Sequence, residues 1–350
     1  MEPQQTNKQT NKQNYSYIHS LRLIATLAII LLHTATGGIF NLYQEQGGTA
    51  PYISQLYKHC MEWAVPAFVL ISGAIFLSPH KHIDYYILFN KYVKRIVFAL
   101  LIFGLPMTFA ETFLNTNNLS LGSTIFTGIT NWIYGHSWAH MWYLYMLIGL
   151  YLITPIIKPF LNQAKNKEVH IALIVMFIIS SIIPTLINYN IPITSFLVIS
   201  TPFIFIYMLG YYLQWRVDYK QKNRNIIFSV TTLLICTISI IIRILSEISI
   251  HGYSDPACIL MGASMFVLFK QLEIKSLIAE KLSIYCFGVY LIHTVFINAL
   301  YKILHITPLN ILGNTSPAIT ILLFFMIFSI ISFISVFILI KIPFFKKYIL

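Results

Sequence analysis

The sequence predicts an all-α polytopic membrane protein: a bundle of about ten transmembrane helices with both termini in the cytoplasm. Three observations carry that prediction. Of the 350 residues, 57% are hydrophobic and only 10% charged, with a mean hydropathy of +0.73; a soluble chain of this size could not cover its surface with so little charge. The apolar residues gather into segments near the ~20 residues that a ~30 Å hydrocarbon layer requires. Lysine and arginine are distributed one-sidedly. With the N-terminus in the cytoplasm, twenty fall on that side, and only Lys58, Arg243 and Lys302 fall on the other, which accounts for all 23. Such a bias sets orientation, and shifting the count by one span would scramble it.

Taken in order, residues 1–16 are rich in Gln, Asn, Lys and Thr and predict a disordered cytosolic tail. Residues 17–345 make a single transmembrane domain. Its expected spans are 21–40, 61–78, 92–112, 138–157, 169–187, 192–213, 225–245, 252–269, 283–304 and 317–341. The first is long enough to span and others follow it, so it reads as a span rather than a cleaved signal peptide. The longest connections are the outer loops 41–60 and 113–137. The second runs into W-I-Y-G-H-S-W, aromatic and uncharged, which fits a segment that lies in the interface or re-enters the bundle. Pro66, Pro106, Pro184 and Pro202 fall inside spans and predict kinks whose freed carbonyls need partners.

Composition also excludes several function classes. The net charge of +12 sits in short blocks between apolar segments, not in one basic stripe, so nucleic acid is not expected as a partner. Cys60, Cys236, Cys258 and Cys286 show no paired spacing and read as packing residues, with neither a disulfide framework nor a metal site. No internal repeat points to a transporter's inverted symmetry.

The chemistry is concentrated in the first span, where Arg22 and His33 interrupt an apolar run. An ionisable group inside a spanning helix is costly to keep and is by default a functional hypothesis. Eleven residues at roughly 100° each come to about 1100°, some 20° past three full turns. The two side chains therefore share a face, about 16 Å apart along the axis. His293, in a span running the same way, is expected at a depth comparable to His33. Glu62, Glu111, His140, Arg243 and Glu247 fall near the outer ends of their spans, and Arg243 is expected to neutralise Glu62 or Glu111. His136 and His140, at i and i+4 with Glu111 as a third ligand, have a metal-binding spacing. Two histidines at a helix start read more simply as interfacial, and no metal is expected. His80, Lys81, His82 and Asp84 read as a solvated cytosolic turn.

Six stretches, in order, resemble a known family. They are L-R-L-I-A-T-L-A-I-I-L-L-H, W-A-V-P-A-F-V-L-I-S-G-A-I-F-L, K-Y-V-K-R-I, H-M-W-Y-L-Y-M-L-I-G-L-Y-L-I-T-P-I-I, Y-M-L-G-Y-Y-L and S-I-Y-C-F-G-V-Y-L-I-H. Together they look like acyltransferase family 3, integral membrane enzymes that acylate sugars of surface polysaccharides. The chain is most similar to the subgroup that resembles the enterobacterial common antigen O-acetyltransferase.

The resemblance implies a multi-pass protein of the bacterial cytoplasmic membrane with acyl-CoA, chiefly acetyl-CoA, as cytosolic donor substrate and no permanently bound cofactor. The acceptor it implies is a sugar hydroxyl on a surface polysaccharide or its lipid-linked precursor. The family's arginine and histidine of the first helix fall on Arg22 and His33. Its basic R-x-x-R element falls on Lys91 to Arg95, where this chain has K-Y-V-K-R. In that reading Arg22, Lys91, Lys94 and Arg95 hold the donor phosphates and the pantetheine arm runs up the helix face. His33, neutral in a buried site, then accepts the proton of the attacking hydroxyl. Glu62, Glu111, His140, Arg243 and His293 are left as orienting or acceptor-binding groups. H-G-Y-S-D, from His251 to Asp255, has the H-x-x-x-D spacing of some soluble acyltransferases, but it is expected at the outer surface, far from the donor. The alternative function is a polysaccharide exporter or flippase of the same topology.

Overall fold

The computed structural model describes residues 15–115, 121–135, 140–189, 191, 202–250, 252–310 and 316–349, and their regular structure is helical throughout. The expected tail therefore lies outside the described residues except for its last two, and the first helix already begins at Ser16. Numbering the long apolar helices in chain order gives α1 Ser16–Thr36, α2 Ala50–Phe76, α3 Tyr85–Phe113, α4 Trp142–Gln163 and α5 Asn166–Asn188. They continue with α6 Pro202–Trp215, α7 Lys222–Leu245, α8 Pro256–Gln271, α9 Cys286–Ile303 and α10 Pro317–Leu339. Eight of these are long and apolar enough to cross a membrane. The other two expected spans, 192–213 and 252–269, correspond to α6 and α8. Residues 192–201, before α6, lie outside the described residues, and α8 has 16 residues.

The bundle is built around α1 and α2. Along their apolar stretches 67% and 72% of residues are buried, against 17% in α7, which leaves most of its surface to lipid. α1 packs on α2, α8, α9 and α10. It stops at Thr36, three residues after His33, and the next residue, Gly37, has φ +26° and an N–H that bonds the His33 carbonyl at 2.7 Å. A Cβ at Gly37 would stand 2.7 Å from the Tyr301 ring, and the Tyr301 hydroxyl donates to the Thr34 carbonyl at 3.0 Å. Glycine here both turns the chain and lets α9 seat against the end of α1. The crossing of α2 and α6 is closer still. A Cβ at Gly73 would come 1.9 Å from the Tyr207 carbonyl oxygen, and one at Gly210 would come 2.2 Å from that of Leu70. Two glycines thus bring these backbones into direct contact, as small residues do where lipid supplies no hydrophobic drive.

Three of the four prolines fall at breaks in their helices. α2 breaks at Glu62 and Trp63, just before Pro66, while the residues preceding Pro202 lie outside the described residues. In α3 and α5 a wide π-helical turn, Leu100–Gly104 and Ile178–Ile182, ends just before Pro106 and Pro184, which relieves the ring's clash with the preceding turn.

The π-helical turn of α3 also receives a neighbouring segment. The helix Leu121–Ile133 runs back along α3: Gly128 lies against the Phe109 ring, and the Trp132 Nε1 donates to the Leu100 carbonyl at 3.1 Å. Leu100 is midway along α3, so this segment returns to the level of the bundle's centre. Of the two alternatives for loop 113–137, the described part re-enters. Its end is fixed by the Tyr145 hydroxyl, which donates to the Trp132 carbonyl at 2.6 Å.

Candidate active site

α1, α2, α3, α4 and α9 enclose a cavity of ≈ 530 Å³. Arg22 and His33, three turns apart on α1, both line it, so the shared face read from their spacing is the face turned to the cavity. The Arg22 end also carries Lys81 and Arg95; the His33 end carries His140 and Tyr290. Among the described lining residues there is no carboxylate. Two other cations at that end, by contrast, are bound to helix C termini. The Arg216 Nη2 donates to the Leu161 carbonyl at 2.6 Å, and the Lys270 Nζ donates to those of Leu213 and Gln214 at 3.0 and 2.8 Å. Among the described residues neither Arg22 nor Lys81 forms an ion pair.

At the other end three histidines from three helices or helix ends meet. Ring centroids of His33 and His293 are 5.3 Å apart, those of His140 and His293 5.2 Å, and those of His33 and His140 5.9 Å. The common depth expected for His33 and His293 holds. His140 stands two residues before α4, at the expected end of that helix, and is 2% exposed. Its backbone carbonyl accepts from the Tyr290 hydroxyl, and its Nδ1 is 3.2 Å from the Thr294 Oγ1. His293 is fully buried behind the pair. Its Nδ1 donates to the carbonyls of Tyr290 and Val289, at 2.9 and 3.0 Å, so its Nε2 carries the lone pair, and that atom has no partner among the described residues.

The remaining candidates are scattered. Lys91 and Lys94 are exposed, each with its ammonium over the ring of its own neighbour, Tyr92 or Phe98, and neither lines the cavity. Arg95 does line it, its Nε held by the Ile349 carbonyl at 2.6 Å. Arg243 neutralises neither Glu62 nor Glu111. It forms a two-pronged pair with Asp255, at 2.6 and 3.2 Å, because α7 and α8 are adjacent antiparallel helices and Asp255 caps the start of α8. Glu62 accepts from the His59 Nδ1 at 2.8 Å, and Glu111 pairs with Lys302 at 3.5 Å. None of the three is in the cavity wall. His136 and His251 lie outside the described residues, and among those described no three His, Cys, Asp or Glu are arranged to hold a metal.

Sequence reasoning missed Lys81, which it left in a solvated turn, and Tyr290, three residues before His293 on the helix face that turns to the cavity. The spacing of Tyr290 to His293, one helical turn, was the available signal.

No curated protein and no solved structure matches the chain. A family model described as an acyltransferase domain does, over residues 15–340, a range that takes in the whole cavity, its cations and its three histidines. By that match the chain, whose described residues form the multi-pass helical architecture above, belongs to the acyltransferase 3 family, a family of acyltransferases.

Proposed function

We propose that the protein is an O-acyltransferase. It takes an acyl group, acetyl by the resemblance to the common-antigen O-acetyltransferase, from acyl-CoA at the cytosolic side. The acceptor is a hydroxyl of a surface polysaccharide or its lipid-linked precursor. The observation that carries this reading is that one cavity, with no carboxylate among its described lining residues, joins three cations to a histidine cluster along the Arg22 and His33 face of α1. A CoA thioester has the matching polarity: phosphates at one end, and a reactive carbonyl at the end of a long neutral arm.

In this mechanism His33 accepts the proton of the sugar hydroxyl as its oxygen attacks the thioester carbonyl carbon. The tetrahedral intermediate expels the CoA thiolate, which takes that proton back from the imidazolium, leaving an ester and free CoA. His293, its Nδ1 committed to backbone carbonyls, packs its ring against that of His33, at 5.3 Å between centroids, and so holds the base in position. The membrane is the bacterial cytoplasmic membrane, with both termini and the Arg22 end in the cytosol, as the lysine and arginine bias supports.

Cys286 gives a direct test, because it lines the cavity between the two ends and is one of four free cysteines. In a variant retaining only Cys286, acetyl-CoA is expected to slow alkylation by a maleimide. Acyl incorporation into surface polysaccharide is expected to vanish in cells carrying His33→Ala at matched expression. Undiminished incorporation in His33→Ala, with alkylation indifferent to acetyl-CoA, would sink this reading and favour the exporter.

A further inference from the structure

The turn between α2 and α3 places a cation where the sequence pattern had none. Lys81 does not extend into solvent, as a lysine in a surface turn ordinarily does. Its chain folds back so that Nζ lies 4.6 Å from the Phe76 ring centroid and 5.0 Å from that of Tyr92, and it donates to the Tyr92 hydroxyl at 3.1 Å. Phe76 stacks on Tyr151 at 4.4 Å, so the two rings that hold the ammonium are themselves braced by a third. The turn is pinned from the other side as well. The Lys81 N–H bonds the Ser78 carbonyl at 3.3 Å, and the Lys158 Nζ donates to the Lys81 carbonyl from within α4, where Lys158 is 9% exposed. A buried lysine that uses its charge to hold one backbone carbonyl is costly to keep there, and what it fixes is the direction of Lys81.

An ammonium has three donors. One of Lys81's goes to Tyr92, and among the described residues no acceptor takes the other two. They open into the end of the cavity that Arg22 and Arg95 also line, where no carboxylate among the described lining residues balances the charge. The aromatic cage contributes orientation, since cation–π contact holds the ammonium without neutralising it.

We infer that Lys81, aimed by Lys158, is a phosphate-binding residue of the acyl-CoA site, and that it takes the part the sequence pattern gave to Lys91 and Lys94. The inference rests on the acyl-CoA reading above. It adds a residue outside the basic element of α3 and a positioning residue, Lys158, in α4.

The test is binding, which needs no acceptor. Purified protein in nanodiscs of phosphatidylcholine is titrated with coenzyme A and, separately, with pantetheine, which shares the arm but has no phosphate. Lys81→Gln is expected to weaken coenzyme A binding about tenfold, the size of a lost hydrogen bond to a charged group, and to leave pantetheine binding within twofold. Lys81→Arg should retain most of the affinity. Lys158→Met should weaken coenzyme A by a smaller factor, because the cation survives and only its direction is lost. Lys91→Ala and Lys94→Ala should change it by less than twofold.

If wild-type protein binds coenzyme A and Lys81→Gln binds it equally well, the inference fails while the acyl-CoA reading stands. It fails in the same way if Lys81→Gln weakens both ligands alike, since the role of Lys81 is then to support the wall or to anchor a lipid headgroup. If wild-type protein binds neither ligand, both fall.

Discussion

Arg22 and His33 stand on one uninterrupted helix and open into the same cavity, one at its cationic end and the other within a cluster of three histidines. Eleven residues of helix separate them by about 16 Å. That distance suits a thioester arm, whereas two groups acting on one small ligand would lie closer together.

His33→Ala is expected to lower acyl transfer by at least the ~10²–10⁴-fold associated with a general base, with unchanged insertion. His293→Ala should lower it less and act on turnover, leaving donor binding intact, because His293 reaches the reaction only through His33. Incorporation assays at matched expression, together with coenzyme A titration, separate the two. A larger loss in His293→Ala would exchange their roles.

Trp132→Phe removes the N–H that holds the re-entrant helix to the Leu100 carbonyl. A cost of about 1 kcal/mol in stability is expected. Activity should fall beyond what that cost explains, since the Tyr145 hydroxyl ties the Trp132 carbonyl to the first turn of α4, the helix that His140 precedes. Thermal melting in detergent beside the transfer assay tests both parts. A lower melting point with full activity would leave Trp132 as a brace only.

Arg243→Met strands the Asp255 carboxylate, 2% exposed, without its cation. Breaking one side of a buried pair costs about 3–5 kcal/mol. Asp255→Asn in the same chain should recover much of it, because asparagine can still cap α8 and carries no charge. A double variant no more stable than Arg243→Met would show that the pair does more than neutralise.

Both termini are expected in the cytosol. Reporter fusions following Leu350 should register as cytosolic, and insertions within 41–58 as external. The reverse pattern would overturn the orientation and, with it, the side from which the donor enters.

How much was legible depended on the range of the physics. Span length, lysine and arginine bias and the Arg22 and His33 face are properties of single helices, or of the chain against a bilayer. Periodicity and composition therefore determined the all-helical class, eight of the spans and the one face on which the cavity opens. What packing decides could not be read that way. The place of His140 beside His33 and His293 is a contact among separate helices, and an uncharged aromatic stretch fits an interfacial or a re-entrant path equally well. The partner of Arg243 was chosen by the adjacency of α7 and α8, which made Asp255 nearer than either glutamate. Lys81 looks, in sequence, like any polar residue in a turn. It became part of the site only because Lys158, seventy-seven positions away, holds its carbonyl while Phe76 and Tyr92 hold its ammonium. Local patterns fix what each helix is; which side chains meet between helices is fixed by contacts distant in sequence.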